Sequence, residues 1–506
     1  MLKLYNNLAK KKQEFKPINE NKVLIYVCGP TVYDSPHIGH ARAAVSFDIL
    51  RRYFLFNGFD VKFVSNYTDI DDKMINRSNE LGISIKKLAK KYIDEYEDVM
   101  LKLNVIPPDV KPLATETIAA MLDFIKIIKD NGYAYVSNDS VYYDVTKYKE
   151  YYTLFMRKPP KENKKSCVYE PLDEENTIGD QDSVLADSDK RCKDDFVLWK
   201  KSKEGEPSWK SPYGNGRPGW HIECSTMAYK HLDKLIDIHG GGKDLIFPHH
   251  TNEIAQTYAA FGTKLARFWV HNGFVNIDNE KMSKSLNNFF TVNDVLKSYD
   301  GVVIRFFLSS VNYRTPINYS TDSLEEAKTA LEKIKEFYKT IKPFKNAEME
   351  NDHKVEMMKS IQKLKIEFIS SMDDDLNTSK ALAQIYQLIK MVNKHIFEFE
   401  RNIDEEIKKM ILNFIIDFAN IFGILIDREI QELGVYGKQI DGMDELISEK
   451  QQTISELMNA IIDVRSQLRE KKIYDIADKI RDDLKNIGIE LYDMKNKTMW
   501  KYSDSN

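Results

Sequence analysis

A short apolar run that gives way to a helical pattern across two histidines constrains this chain most. Lys22-Val23-Leu24-Ile25-Tyr26-Val27 shows no polar alternation after its first residue, as expected of a strand buried on both faces in a parallel sheet. Nine residues after Cys28, His37-Ile38-Gly39-His40 opens a segment to Phe56 whose apolar residues, including Ala41, Val45 and Ile49, recur at helical spacing. Asn57-Gly58 supplies a stop. A parallel strand feeding a helix is the repeating unit of a doubly wound α/β fold. The N–H groups and positive dipole end of such a helix make its start an anion site. Gly39 lets a base or ribose approach the backbone, and the two imidazoles can donate to phosphate oxygens.

About 240 residues downstream lies Lys281-Met282-Ser283-Lys284-Ser285. Two lysines on a loop can neutralise negative charge that builds on a bound phosphate group. Either segment alone reads equally well as a surface histidine pair or a solvated lysine loop. Together, in this order, they resemble the H-I-G-H and K-M-S-K-S signatures of class I aminoacyl-tRNA synthetases. That resemblance implies His37, His40, Lys281 and Lys284 as catalytic groups. With Gly39 they would bind ATP, which carries Mg2+.

A length of 506 residues allows three or four domains, and 42% hydrophobic with 30% charged residues describes a soluble, globular chain. No apolar run approaches a membrane span, and the N-terminus does not read as a signal peptide. Four cysteines (Cys28, Cys167, Cys192, Cys224) make no disulfide framework, so a reducing cytoplasm is expected. A net charge of −4 does not advertise a nucleic-acid binder. Lys10-Lys11-Lys12, Lys86-Lys87 with Lys90-Lys91, and Lys161 with Lys164-Lys165 are candidate basic patches, equally readable as solvated faces. The absence of a repeat or coiled-coil seam suggests a monomer.

A dispersed donor set adds to this. Cys28 follows the first strand, Cys224 ends Gly219-Trp220-His221-Ile222-Glu223-Cys224, and His249 and Glu253 lie in Phe247-Pro248-His249-His250-Thr251-Asn252-Glu253. The i, i+4 spacing puts His249 and Glu253 on one face of a helix started by Pro248. Two thiolates, an imidazole and a carboxylate suit zinc, but spacing alone does not assemble them, and a lone cysteine is usually a core residue.

The chain resembles bacterial-type cysteinyl-tRNA synthetases over nearly its whole length. The resemblance rests on Tyr26-Val27-Cys28-Gly29-Pro30-Thr31-Val32-Tyr33-Asp34 before His37, Asn66-Tyr67-Thr68-Asp69-Ile70-Asp71-Asp72-Lys73, and the Gly219–Cys224 stretch. It extends through Asp237-Ile238-His239-Gly240-Gly241-Gly242, Tyr313-Arg314 and Met372-Asp373-Asp374-Asp375-Leu376-Asn377-Thr378. It implies one zinc per chain on Cys28, Cys224, His249 and Glu253, with Gly29, Thr31, Thr68, Trp220 and His239 around the substrate cysteine. Trp220 also has an ordinary reading as a core aromatic. Asp69, Asp71 and Asp72 are expected to cap and fix a helix beginning at Lys73. The implied activity is ATP-dependent ligation of L-cysteine to tRNA(Cys) through a cysteinyl-adenylate. Zinc–sulfur recognition would make an editing domain unnecessary. In the tail, Arg469, Asp478, Asp493 and Trp500 align with positions that read anticodon bases; a structural salt-bridge network is the alternative. Rival readings are a ligase joining cysteine to an amino-sugar, a methionine-activating relative, and an inactive zinc- and RNA-binding module.

The expected architecture is α/β: a Rossmann-like, doubly wound class I synthetase catalytic domain with an inserted α/β domain, then a C-terminal helical bundle and a small anticodon-binding domain. Residues 1–104 and 217–292 form the halves of the catalytic fold. Between them, 105–216 is the insert, with a helix over 115–130, a hairpin of Tyr133–Val136 and Val141–Val145, and a long variable loop over about 156–193. Cys167 and Cys192 in that loop could pair on a metal, but no histidine lies near. A linker and stem-contact region spans 293–322, just after the ATP loop. Apolar spacing at Ala330-Leu331, Ile334 and Phe337, at Ile361, Leu364 and Phe368, and at Leu382, Ile385 and Leu388 places the bundle at 323–436. Residues 445–506 form the terminal domain.

Overall fold

A hairpin of β1 (Lys3–Asn6) and β2 (Lys11–Glu14) precedes the expected strand β3 (Lys22–Val27), buried at every position but the first. The computed structural model describes residues 2–156, 189–277, 280–281, 290–344, 349–398, 403–424, 426, 461–469, 471, 473–486, 489–494 and 497–502. Lys284, Cys167 and most of the 156–193 segment lie outside the described residues. After β3 the chain crosses through α1 (Ile38–Phe56) to β4 (Asp60–Ser65), parallel to β3 from Lys22↔Asp60 to Val27↔Ser65. α1 stops as the sequence predicts, capped at Asn57 and followed by Gly58 at φ +83°, a left-handed turn that glycine adopts without strain.

Helices α2 (Asp72–Leu81), α3 (Ile85–Lys102) and α4 (Ile118–Asp130) follow. The three-aspartate cap needs correction. Asp71 alone caps α2, accepting from the Met74 N–H at 2.6 Å. Asp69 instead accepts from the Thr115 N–H and hydroxyl, while Asp72, already inside the first turn, pairs with Lys200 and Arg217. Only the N-cap position aims a carboxylate back at the helix's open N–H groups.

The insert is an antiparallel sheet of β5 (Ala134–Ser137), β6 (Ser140–Tyr143), β7 (Phe196–Lys201) and β8 (Gly216–Pro218), in that order. The β5–β6 turn places Asn138 and Asp139 at φ +47° and +62°, the left-handed pair of a tight hairpin. β6 ends at Tyr143, not Val145, because Asp144 accepts from the Thr146 N–H and starts a 3-10 turn. Arg217, taken as the start of the second catalytic half, lies in β8 opposite Lys200.

The chain returns through α5 (Trp220–His231), β9 (Ile236–Gly242), α6 (His249–Phe261) and β10 (Ala266–Asn272). The main sheet runs β10-β9-β3-β4, all parallel. β3 divides two cores: Val23, Ile25 and Val27 pack with α1, and Leu24 and Tyr26 pack toward α5 and α6. Then come β11 (Val275–Ile277), β12 (Glu280–Lys281), α7 (Val292–Leu296), α8 (Gly301–Ser309) and β13 (Ile317–Tyr319), with β12-β11-β13 forming a small sheet.

Four helices follow: α9 (Thr321–Ile341), α10 (Asn351–Asp373), α11 (Thr378–Glu398) and α12 (Glu405–Phe422). Of the ten apolar positions named above from their heptad-like spacing, nine are buried and Ala330 is half-buried. The bundle is tied to α1 by a buried charge group in which Arg305 and Arg52 share Asp48, and Arg305 Nε donates to the Phe422 carbonyl at 2.6 Å. Residues Met1–Glu432 form one unit and Leu433–Asn506 another. In the second, helices over 461–469 and Tyr474–Asn486 precede an antiparallel pair, Ile489–Met494 and Lys497–Tyr502.

Candidate active site

The dispersed donors converge where β3 ends. The Cys28 N–H donates to the Gly240 carbonyl at 3.1 Å, fixing the thiol at the seam of β3 and β9. Cys224 lies in the second turn of α5, and α6 begins at His249 with Glu253 one turn on. One ligand atom from each of Cys28, Cys224, His249 and Glu253 lies within 4.8 Å of every other. Cys28 Sγ is 3.5 Å from Cys224 Sγ and 3.4 Å from Glu253 Oε1, and His249 Nε2 is 3.2 Å from the same carboxylate oxygen. Tetrahedral zinc with bonds of about 2.0–2.3 Å holds its donors roughly 3.3–3.8 Å apart, so this set fits that ion in kind and spacing.

A second, overlapping group shares Cys28 and Glu253 and adds His239 and His250. His239 Nε2 lies 2.8 Å from Glu253 Oε2, and His250 Nε2 lies 3.5 Å from Cys28 Sγ. His239, taken from the sequence as a pocket wall, therefore also braces a donor carboxylate. His250 was not among the sequence-derived site residues. Its signal was present, since positions 249 and 250 stand four and three residues before Glu253, and both spacings share a helix face. Burial pushes the Cys28 and Cys224 thiols up, and pushes the His249 and His250 imidazoles well down. Neutral imidazoles are the ligand form, and a bound cation reverses the direction for thiols.

Beside the cluster, Gly29 runs so close to Asn66 that a Cβ would stand 1.6 Å from its carbonyl oxygen, which excludes every other residue type. Its N–H donates to Asn66 Oδ1 at 2.9 Å, and the Tyr26 hydroxyl donates to the same atom at 3.0 Å. Thr31 and Thr68 face each other across an isolated parallel bridge. The Thr68 hydroxyl donates to buried Glu223 at 3.0 Å. Asn66 and Glu223 thus hold the site's frame, though sequence reasoning gave them no role. Trp220 is half-buried at the start of α5, its ring centroid 4.3 Å from that of His249. It borders the donor cluster.

The second constellation is local. His37 caps α1: its Nδ1 accepts from the His40 N–H at 3.3 Å, and His40 Nδ1 accepts from the His37 N–H at 3.2 Å. The rings stack at 3.7 Å. With both Nδ1 atoms accepting, each neutral ring carries its proton on Nε2, where it is a donor. Gly39 lies in the first turn between them. Lys281 ends β12, its backbone opposite Asn276. Farther along the chain, Thr291 bridges to His37 and the Val292 N–H donates to the Pro36 carbonyl at 2.8 Å, so the segment that opens α7 lies beside the histidine pair.

The remaining candidates lie elsewhere. Arg469 and Asp478 are exposed on the tail helices, and Asp478 sits 3.7 Å from Arg481. Asp493 and Trp500 are on the paired strands, opposite Thr498 and Leu491. Cys192 is buried, its N–H donating to Asp195 at 2.9 Å, and it belongs to no donor group among the described residues. No helix among the described residues is long and apolar enough to cross a membrane.

Residues 14–329 match the family described as tRNA synthetases class I (C) catalytic domain, and residues 367–426 match the DALR domain. The chain is 41% identical over 504 residues to a cysteine--tRNA ligase of Thermococcus gammatolerans, with 99% of each chain covered. It is 43% identical over 506 residues to that of Pyrococcus horikoshii and 41% identical over 503 residues to that of Lachnospira eligens, again with 99% of each covered. Among solved structures, the Mycobacterium tuberculosis methionyl-tRNA synthetase in complex with methionyl-adenylate aligns with a TM-score of 0.57 at 15% identity, covering 81% of this chain and 93% of that one. The LeuRS of Agrobacterium radiobacter K84, in a ternary complex with tRNA and LeuAMS, aligns with a TM-score of 0.59 at 10% identity, covering 84% and 87%. At these identities the likeness is one of fold.

Proposed function

The chain belongs to the cysteine--tRNA ligase family of class I synthetases, and from that premise we propose that it charges tRNA(Cys) through a cysteinyl-adenylate, selecting cysteine at a zinc held by Cys28, Cys224, His249 and Glu253. The observation that carries this is the convergence of those four donors within 4.8 Å, at the strand end that leads into α1. Zinc bound there supplies a soft Lewis acid that favours a thiolate over a serine hydroxyl. A site relying on shape alone separates such near-isosteres by only about a hundredfold, so no hydrolytic editing domain is required.

In the first step the cysteine carboxylate attacks the α-phosphate of Mg2+-bound ATP in line, and pyrophosphate leaves. The Nε2–H groups of His37 and His40 and the start of α1 donate to phosphate oxygens, while Lys281 and Lys284 balance the growing charge. Gly29, Thr31 and Thr68 hold the ammonium and carboxylate of the substrate, and Trp220 and His239 wall its side chain. A hydroxyl of the tRNA's terminal adenosine then attacks the mixed anhydride, releasing AMP. Positioning and charge balance do this work without a protein nucleophile.

Residues 1–104 and 219–292 would be the two catalytic halves around an insert that runs from 105 through β8 (Gly216–Pro218). Residues 293–322 form the link, 323–436 the bundle and 445–506 the domain reading the anticodon with Arg469, Asp478, Asp493 and Trp500. The protein would act as a cytoplasmic monomer. The test is ATP–pyrophosphate exchange with cysteine, serine and methionine on zinc-loaded and metal-stripped protein. Exchange with cysteine alone, lost on stripping, is expected. Serine-dependent exchange, or cysteine exchange that survives stripping, would overturn the selection step.

A further inference from the structure

On the α1 side of the main sheet, between α1, α3 and β4, lies a cavity of about 290 Å³ that the reaction above does not use. Its walls are mainly apolar, with Ala43, Ala44 and Phe47 from α1, Phe63 from β4, and Tyr96 and Met100 from α3. Of the proposed substrate and metal residues it touches only Cys28 and Gly29; His37, His40, Thr68, Trp220 and His239 are not in its lining.

The charged groups of the lining already have partners. Asp48 accepts from Arg52 Nε at 2.7 Å and from the Ile106 N–H at 2.8 Å. Arg51 donates to the Pro107 carbonyl and to Asp109, each at 2.8 Å. Glu97 accepts from the Tyr67 hydroxyl at 3.1 Å and pairs with Lys111, and Asp98 pairs with Lys102 at 2.6 Å. No charge there calls for a counter-ion, so the space suits a neutral, apolar occupant. An apolar cavity of about 150 Å³ holds one benzene ring, and this one has room for two fused rings.

Two of its walls also reach the candidate active site. Cys28, whose thiol belongs to the donor cluster, also contributes to the cavity lining. The Tyr96 ring meets His40 edge-on at 6.5 Å and Tyr67 edge-on at 5.8 Å. We propose that this cavity is a second ligand site, for a neutral two-ring aromatic or a compact hydrocarbon, whose occupancy is transmitted through Cys28–Gly29 and Tyr96–His40 to cysteine activation. The transmission, but not the binding, rests on the function proposed above.

Indole is the probe, titrated into the zinc-loaded full chain and followed by saturation-transfer NMR and by cysteine-dependent exchange. Saturable binding is expected, with a lower maximal exchange rate and unchanged KM for cysteine and ATP. Ala44→Leu and Val105→Phe fill the space from opposite walls. Each should weaken indole binding at least about tenfold while leaving exchange without indole intact. Absence of saturable binding, binding unaltered in both variants, or a rise in the KM for cysteine would overturn the assignment. Binding with no effect on exchange would overturn the transmission. Absence of exchange altogether would instead strike the proposed function, leaving the NMR measurement to decide the cavity.

Discussion

The metal-donor cluster and the histidine pair of α1 lie side by side in sequence at Cys28 and His37, yet they are held by opposite means. The cluster is drawn from a strand end and two helices, with partners as far apart as 225 positions, and three of its four donors are buried. The pair closes on itself over three residues through two hydrogen bonds from backbone N–H to imidazole Nδ1 and a ring stack. A long-range site needs the whole fold to exist, whereas a local one needs only its turn. Damage to each should therefore read out differently.

The largest effect is expected at the cluster. Cys224→Ser should lower zinc content and cysteine-dependent exchange together, by more than the roughly 10–100-fold that losing an outer partner of a metal ligand costs. Metal analysis beside exchange kinetics checks this, and full zinc content with lost exchange would separate metal binding from cysteine selection. Next comes the pair. His40→Asn removes a donor aimed at charge that develops in the transition state, so kcat for exchange should fall by about 10²–10³ with zinc unchanged. A parallel loss of zinc would show that the two sites are not mechanically independent.

The same contrast decides what could be read from the residues. The β3–α1 unit was legible to the residue because burial on both faces and helical spacing are local signals, and Lys22–Val27 and Ile38–Phe56 stand where the pattern puts them. The buried stripes of the bundle helices were legible for the same reason. The donor cluster was not: only His249 and Glu253 share an element, and Cys28 and Cys224 joined them through family likeness. Supporting contacts were least legible. Nothing in the spacing of Asn66 announces that its side chain serves Gly29 and Tyr26, or that Glu223 takes the Thr68 hydroxyl. Those bonds follow from how the fold brings the ends of β3 and β4 and the start of α5 together, which local pattern does not encode.

His239 tests the boundary between the two kinds of site. It sits in β9 against Glu253 Oε2, a member of the donor cluster, and is also assigned to the proposed cysteine pocket. His239→Gln should reduce metal affinity by about 10–100-fold, as for other outer partners of metal ligands, with exchange largely restored at saturating zinc. A raised KM for cysteine that excess zinc does not rescue would return His239 to the pocket-wall role alone.

The smallest effect is expected at Asp71, a second local cap in the same half of the fold. Like His37 it takes an N–H at a helix start, but it does so as a charge, and burial pushes its carboxyl up to about 6 against the Met74 N–H and Lys73. The unfolded carboxyl titrates near pH 3.9, so the folded state binds this proton more tightly than the unfolded one. The contribution to stability is therefore complete below about pH 4 and is lost as the pH rises through 6. At neutral pH the penalty is about 1–2 kcal/mol once partial exposure is discounted. Asp71→Asn keeps the capping oxygen, since Asn and Asp cap equally well, and removes the charge. Its melting temperature should match the parent at pH 4 and exceed it at pH 7. A variant less stable at pH 7 would mean that the pull of Lys73 and Arg217 on the ionised carboxylate outweighs its burial, making this cap a charge-dependent device, unlike the imidazole cap of α1.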